Sequence, residues 1–151
     1  MHRLLTASIT ITAVALFAPG CGSSMEDGTV PTLTKAEFVK QAEEVCTEAT
    51  KERRAAAAAW QKEHPGNLNQ DDLDAAFREV IGPSIAEQVK ALEAIPAPRA
   101  DKAMVVGMVE NLAKTAEDIV EKGTAGAQGQ AISTYLREAE KYGLRDCTRL
   151  S

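Results

Sequence analysis

The chain has 151 residues, of which 44% are hydrophobic, so it is long enough for one domain with its own core. It carries 17 lysines and arginines against 22 aspartates and glutamates, and this net charge of −5 argues against nucleic acid as a partner. Two histidines and three cysteines leave few of the side chains on which most enzymes and metal sites depend.

The N-terminal segment has the composition of an export signal. A short positive stretch, Met1-His2-Arg3, precedes an apolar run from Leu4 to Ala18 that is shorter than the ~20 residues of a membrane-spanning helix. The following Ala18-Pro19-Gly20-Cys21 resembles the lipobox of bacterial lipoproteins, in which signal cleavage exposes the cysteine and the new N-terminus is lipidated. The lipobox usually has leucine where this chain has Ala18. An uncleaved anchor and a secreted protein cleaved near Ala18 are the alternatives.

The lipobox resemblance implies three regions: a signal peptide over residues 1–20, a lipid anchor with a flexible tether over residues 21–33, and a single domain over residues 34–151. We expect lipid on Cys21 to hold the exported protein at the outer face of the cell membrane, or at an outer membrane if the host has one. Removing residues 1–20 takes away Arg3 and no acidic residue, which lowers the net charge from −5 to −6. The mature chain would therefore bind the membrane through its lipid rather than through a basic patch.

The remaining cysteines form an even pair in an oxidising compartment. With Cys21 assigned to lipid, Cys46 and Cys147 are left, and we predict a disulfide between them. In the chain-entropy model, closing a loop of about 100 residues stabilises a fold by up to ~4.7 kcal/mol. The alternative is two buried free thiols.

Two helix starts are marked by capping residues. Thr34 and Glu37 have the spacing of a capping box, and the helix they begin should end before Pro65-Gly66. A second helix begins at Asn69, with acidic residues in its first turn. Its apolar stripe continues in phase to Ile95 across Gly82-Pro83, which predicts a kinked helix rather than two independent ones.

The third helix is predicted from about Arg99 to Lys122, with Met104 and Met108 on its buried face and Gly123 as its left-handed cap. Residues 123–130 are rich in Gly, Ala and Gln and are interpreted as a flexible connector. A shorter fourth helix follows, and Tyr142-Gly143-Leu144 has the order of a Schellman stop. Together these segments predict an all-α, up-and-down bundle of about four helices whose C-terminal tail is held by the disulfide.

The domain also resembles a group of exported lipoproteins without an assigned activity, known mainly from actinobacteria and their high-GC relatives. The resemblance rests on Lys35-Ala36-Glu37-Phe38 with Ala42 and Cys46, on Pro83 and the segment from Leu92 to Pro98, and on Tyr142-Gly143-Leu144-Arg145-Asp146-Cys147. It implies a single exported helical domain with paired cysteines, and it brings no catalytic or binding residue.

Candidate chemical groups have ordinary structural explanations. His64, the histidine left in the mature chain, stands next to Pro65 and is interpreted as a solvated residue at a helix C-terminus. Met104 and Met108, one turn apart, suggest a soft copper site together with His64, but core packing is the simpler interpretation. Three acidic clusters fall on polar helix faces or first turns: Glu43-Glu44, Asp71-Asp72-Asp74 and Glu117-Asp118-Glu121. We therefore expect no catalytic residue, no metal site and no cofactor.

The most unusual local stretch contains Arg53 and Trp60 on the first helix, separated by an alanine-rich segment. Both residue types are favoured interface anchors, so they are the candidate interface residues, although Trp60 would equally close the core. The sequence thus predicts a noncatalytic, lipid-anchored module that binds a protein partner in the cell envelope. The alternative is a carrier of a small molecule, a lipid or a metal in the bundle interior.

Overall fold

A computed structural model describes residues 32–150, and within that range the chain consists of helices and their connections. The five α-helices are α1 (Lys35–Glu63), α2 (Gln70–Ala76), α3 (Gly82–Glu93), α4 (Lys102–Lys122) and α5 (Gln130–Tyr142). A π-helical turn (Phe77–Ile81) joins α2 to α3 without a break, so these three segments form one rod and the bundle has four. The predicted all-α bundle of about four helices is confirmed.

Both predicted helix starts are capping boxes. The Glu37 N–H donates to the Thr34 hydroxyl over 3.3 Å, and the Thr34 N–H donates back to the Glu37 carboxylate over 2.8 Å. Asn69 and Asp72 make the same reciprocal pair at 3.1 and 3.0 Å. Because each box satisfies N–H groups that have no partner inside the helix, it fixes the first turn in register.

The predicted interruption at Gly82-Pro83 takes the form of the π turn. Pro83 has no N–H to donate, and the wider π turn before it lets the Gly82 N–H reach back to the Phe77 carbonyl, five residues earlier. A Cβ placed on Gly82 would lie 2.7 Å from Val120 Cγ2, so glycine is what allows the start of α3 to approach the end of α4 this closely.

The helices pack as an up-and-down bundle, each antiparallel to its neighbours in sequence. In this arrangement α3 lies between α1 and α4, and α4 lies between α3 and α5. Phe38 on α1 meets Tyr142 on α5 edge to face, with ring centroids 5.9 Å apart, which closes the fourth side. The fully buried large side chains fill the centre: Tyr135, Phe38, Ile85, Met108, Leu112, Ile119 and Leu144.

The end of α5 is the predicted Schellman motif. Gly143 has φ of 105°, the Leu144 N–H donates to the Ala139 carbonyl over 2.9 Å, and the Gly143 N–H donates to the Glu140 carbonyl over 3.1 Å. This stop turns the chain so that Leu144 enters the core. A short 3₁₀ helix (Asp146–Thr148) then lies against α1.

The helix α4 begins at Lys102, within a few residues of the predicted start near Arg99, and ends at the predicted Lys122. Two other predictions about α4 and its surroundings are wrong. Met104 is 55% exposed instead of buried, because it lies to one side of the core stripe that contains Met108. Residues Gly123–Gln128 form an ordered 3₁₀ helix rather than a flexible connector, since Asp74 accepts hydrogen bonds from the Thr124 N–H at 2.9 Å and the Thr124 hydroxyl at 2.6 Å.

The predicted signal peptide, the lipidation cysteine Cys21 and all but the last two residues of the tether lie outside the described residues. Among residues 32–150, no helix combines the length and the apolar character required to cross a membrane.

Candidate functional site

The first of two distinctive regions is the tail clamp, which consists of Glu43, Cys46, Arg53, Gln88, Tyr135 and the tail residues 144–150. The predicted Cys46–Cys147 disulfide is present, with the two Cα atoms 4.8 Å apart and both side chains buried. Above it, the Tyr135 hydroxyl donates to the Cys147 carbonyl over 3.2 Å. The tail is therefore fixed to both α1 and α5.

Arg53 is the centre of the polar part of the clamp. Its side chain is 2% exposed, and its guanidinium donates to the Leu150 carbonyl over 3.2 Å and to the Gln88 side-chain oxygen. Gln88 is also 2% exposed, and its side-chain nitrogen lies 3.2 Å from the Cys46 sulfur. Gln88 therefore links Arg53 to the disulfide. One guanidinium thus connects α1, α3 and the C-terminal tail.

The electrostatics of the clamp follow from burial. Removal from water lowers the pKa of Arg53 below its usual value and raises the pKa of the Tyr135 hydroxyl well above its own. The positive charge of Arg53 acts in the opposite direction on Tyr135, so the two groups are close enough to interact. Arg53 Nε is buried with no hydrogen-bond partner among the described residues. Burying a charged guanidinium without a carboxylate partner costs free energy, and the hydrogen bonds to Leu150 and Gln88 offset part of that cost.

Glu43 fixes the tail from its other side. One carboxylate oxygen accepts the Asp146 N–H over 2.8 Å, and the other is buried with no partner among residues 32–150. Burial raises the pKa of Glu43 above the usual glutamate value, and the nearby Asp146 carboxylate adds to that effect, while the backbone N–H of Asp146 opposes it. Of the acidic pair Glu43-Glu44, Glu43 therefore contacts the tail and Glu44 is exposed.

The structure places both candidate interface residues in the interior. Trp60 is 8% exposed, its indole N–H donates to Glu79 over 3.0 Å, and its ring stacks on His64 at a centroid distance of 3.9 Å. Arg53 is enclosed by the tail as described above. As placed, neither side chain offers a contact surface, and His64 is a partner of Trp60 at the end of α1.

The other acidic clusters are also committed to local contacts. Asp118 accepts from Lys122 at 2.6 Å and from Lys114 at 3.0 Å, and these two hydrogen bonds hold its pKa below the usual aspartate value. The hydrogen bonds from Thr124 lower the pKa of Asp74 in the same way. Within residues 32–150, no group of three or more His, Cys, Asp or Glu side chains has an arrangement that would hold a metal ion.

The second region, the α3–α4 furrow, comprises two apolar grooves that follow one another along those helices. We call the groove near the end of α3 and the start of α4 its lower part, and the other its upper part. Its lower part, lined by residues such as Ile95, Val106 and Val109, encloses about 520 Å³, and its upper part, lined by Ala86, Val120 and their neighbours, encloses about 500 Å³. Thr32 lines the lower part, so that end of the furrow lies beside the start of the domain.

The apolar residues of the furrow follow a heptad spacing on α4. Steps of three and four residues connect Val106, Val109, Ala113, Ala116 and Val120. A parallel series on the core side of the same helix comprises Val105, Met108, Leu112, Thr115 and Ile119. The core series is buried. In the furrow series Val109 and Ala116 are also buried, at 5% and 3% exposure, whereas Val106 and Val120 are 43% and 47% exposed. The second seam of α4 is therefore only partly covered by the helices of residues 32–150.

Sequence reasoning missed Gln88, Tyr135 and Glu43 as parts of the clamp, and it missed the furrow. The clamp residues gave no local signal, because their role depends on contacts with a tail about 100 residues away along the chain. The furrow did leave a signal, since the two adjacent heptad series on α4 give that helix a wider apolar face than one core contact requires.

Neither a protein-family model, nor a curated protein, nor a solved structure matches this chain.

Proposed function

We propose that this protein is a lipid-anchored component of the cell envelope, attached through Cys21, and that its helical domain is a noncatalytic binding module. The exported location is supported by the Cys46–Cys147 disulfide, which carries the proposal. Protein disulfides form and persist in oxidising compartments and are rare in the reducing cytosol. With that pair bonded, Cys21 is the one remaining cysteine of the sequence, and it stands where a lipobox cysteine stands.

The noncatalytic role is supported by what the chemically capable side chains do. Arg53 fixes the tail, His64 stacks on Trp60, and Asp118 pairs with two lysines. Their hydrogen-bonding groups are directed at the protein itself. The surface is better suited to macromolecular contact, because the α3–α4 furrow exposes apolar side chains between charged rims.

Intact mass spectrometry of the protein extracted from its host's membranes tests the anchor. The expected result is a chain that begins at Cys21 and carries a diacylglyceryl or triacyl adduct. Reduction should add the mass of two hydrogen atoms, from the disulfide.

The matched variants separate the two cysteine roles. Cys21→Ser should move the protein from the membrane fraction to the soluble fraction or leave it unprocessed, whereas the Cys46→Ser, Cys147→Ser pair should stay lipidated and lose the mass change on reduction. A membrane-extracted protein without an adduct on Cys21 would contradict the proposal.

A further inference from the structure

The α3–α4 furrow carries a charge pattern that is complementary to itself. In the lower part, α3 contributes Glu93 and α4 contributes Lys102. In the upper part the signs are exchanged, with Lys90 on α3 and Glu117 and Glu121 on α4. Along the furrow, α3 changes from negative at Glu93 to positive at Lys90 within one turn. Over the same furrow α4 changes from positive at Lys102 to negative at Glu110, Glu117 and Glu121.

Several of these charges are free to contact a partner. Glu93 and Lys102 form no ion pair with any residue of the described range. Lys90 meets Glu87 on its own helix at 2.7 Å, a pair with both side chains about 70% exposed and hence worth little in water. Arg99 and Glu110 also line the lower part. Arg99 adds to the positive charge of Lys102, and Glu110 lies further along α4, toward the level of Lys90.

We propose that the furrow is the interface of a symmetric homodimer in which α3 of each copy lies over α4 of the other. A two-fold axis parallel to the helices places α3 and α4 face to face at the same level. Glu93 then meets Lys102 of the second copy, and Lys90 meets Glu110 and Glu117 of the second copy. The exposed Val106 and Val120 become buried between four helices, as in a coiled-coil seam.

The direction of the axis follows from the anchor, and in this respect the inference rests on the proposed function. Thr32 lies at the lower end of the furrow, so the tether leaves the domain there. An axis parallel to the helices brings both tethers to the same end of the dimer, where both lipids reach one membrane. An axis perpendicular to the helices also pairs opposite charges, but it sends the tethers to opposite ends.

Photocrosslinking in the host's own membranes tests this arrangement on the full chain. A photoreactive amino acid at position 106 should give a product of twice the monomer mass of 16.1 kDa, less the signal peptide and plus lipid. Mass spectrometry should find it joined to the second copy near Ile95. The same probe at position 104 is the matched control, because Met104 is 55% exposed on the same helix but outside the furrow, and it should give no dimer.

Charge reversal supplies the second measurement. Lys102→Glu alone and Glu93→Lys alone should each reduce the dimer product by roughly two- to thirtyfold, since exposed pairs contribute ~0.2–1 kcal/mol and the symmetric interface contains two of them. The double variant should restore the product. Lys62→Glu is the matched control, because Lys62 lies in the last turn of α1 and outside the furrow, and it should leave the yield of the dimer product unchanged.

Three results would overturn the inference: no dimer from position 106, an equal yield from position 104, or a link from position 106 to residues near Val120, which would indicate the perpendicular axis. A product with a different protein instead of a second copy would overturn it as well. The intact mass of the same sample reports lipid on Cys21 separately, so loss of the dimer with the adduct present leaves the proposed anchor standing.

Discussion

The tail clamp and the α3–α4 furrow lie on different sides of one bundle and use their side chains in opposite ways. In the clamp, a disulfide, a buried guanidinium and a buried tyrosine hold a short tail whose Leu144 is also buried in the core. In the furrow, valine and alanine side chains at a regular spacing are left partly uncovered. The contrast indicates that specific long-range links stabilise the fold at the tail clamp. The apolar side chains of the furrow are then available for contact with another molecule.

The largest effect should come from the disulfide. We expect the Cys46→Ala, Cys147→Ala pair to lower the free energy of unfolding by roughly 4 kcal/mol, because the bond closes a loop between residues 101 positions apart. Denaturant unfolding followed by the fluorescence of Trp60, the single tryptophan, measures it. A loss below about 1 kcal/mol would mean that the clamp holds without its covalent link, and the contrast between the two sides would weaken.

The next effect should come from the guanidinium. Arg53→Ala removes a buried side chain and leaves the Leu150 carbonyl and the Gln88 oxygen without a donor, so we expect a loss of about 2–4 kcal/mol. Arg53→Met keeps most of the volume and removes the cost of a buried charge, so its loss should be smaller by at least ~1 kcal/mol. Thermal and denaturant unfolding of both variants compare them. Equal losses would show that the charge, rather than the volume, fixes the tail.

Two glycines, one where α3 meets α4 and one on the α5 side of α4, should respond with opposite signs. Gly82→Ala places a methyl group 2.7 Å from Val120 Cγ2 and 3.2 Å from the Val120 nitrogen, and we expect it to cost about 1–3 kcal/mol. Gly107→Ala, within α4, meets nothing within 4 Å and should stabilise by about 0.5–1 kcal/mol. Unfolding free energies of the two variants test the pair, and a neutral Gly82→Ala would contradict the close approach of α3 and α4.

The smallest effect should be a pH dependence within the clamp. The pKa of Glu43 is raised in the folded protein, so the folded state binds more protons than the unfolded one above about pH 4.5. Its contribution is thus most favourable at low pH and is lost as the pH rises through the folded pKa. Glu43→Gln should gain stability relative to wild type across that window, while Glu44→Gln, at the exposed neighbour, should follow the wild-type curve. A constant difference between Glu43→Gln and wild type at all pH values would contradict the raised pKa.

The sequence predicted what local patterns determine. Capping pairs, apolar stripes and the Gly143 stop located the helix ends to within a few residues, and cysteine parity identified the disulfide. It did not reveal the surroundings of Arg53 and Trp60, because the same residue types serve at interfaces and in the interior, and only the fold brings the tail over one and His64 onto the other. Met104 was misplaced for a related reason: it lies one turn before the buried Met108, and periodicity alone does not say how far around the helix the covered face extends.

The position of the disulfide also determines how the domain would carry a mechanical load. A pull between the tether and residue 148 would follow the covalent path along the first part of α1 to Cys46, across the bridge to Cys147, and out through the tail. Residues 47–146 would lie outside that path. Most of the bundle, including both helices of the furrow, would keep its packing while the two ends were drawn apart.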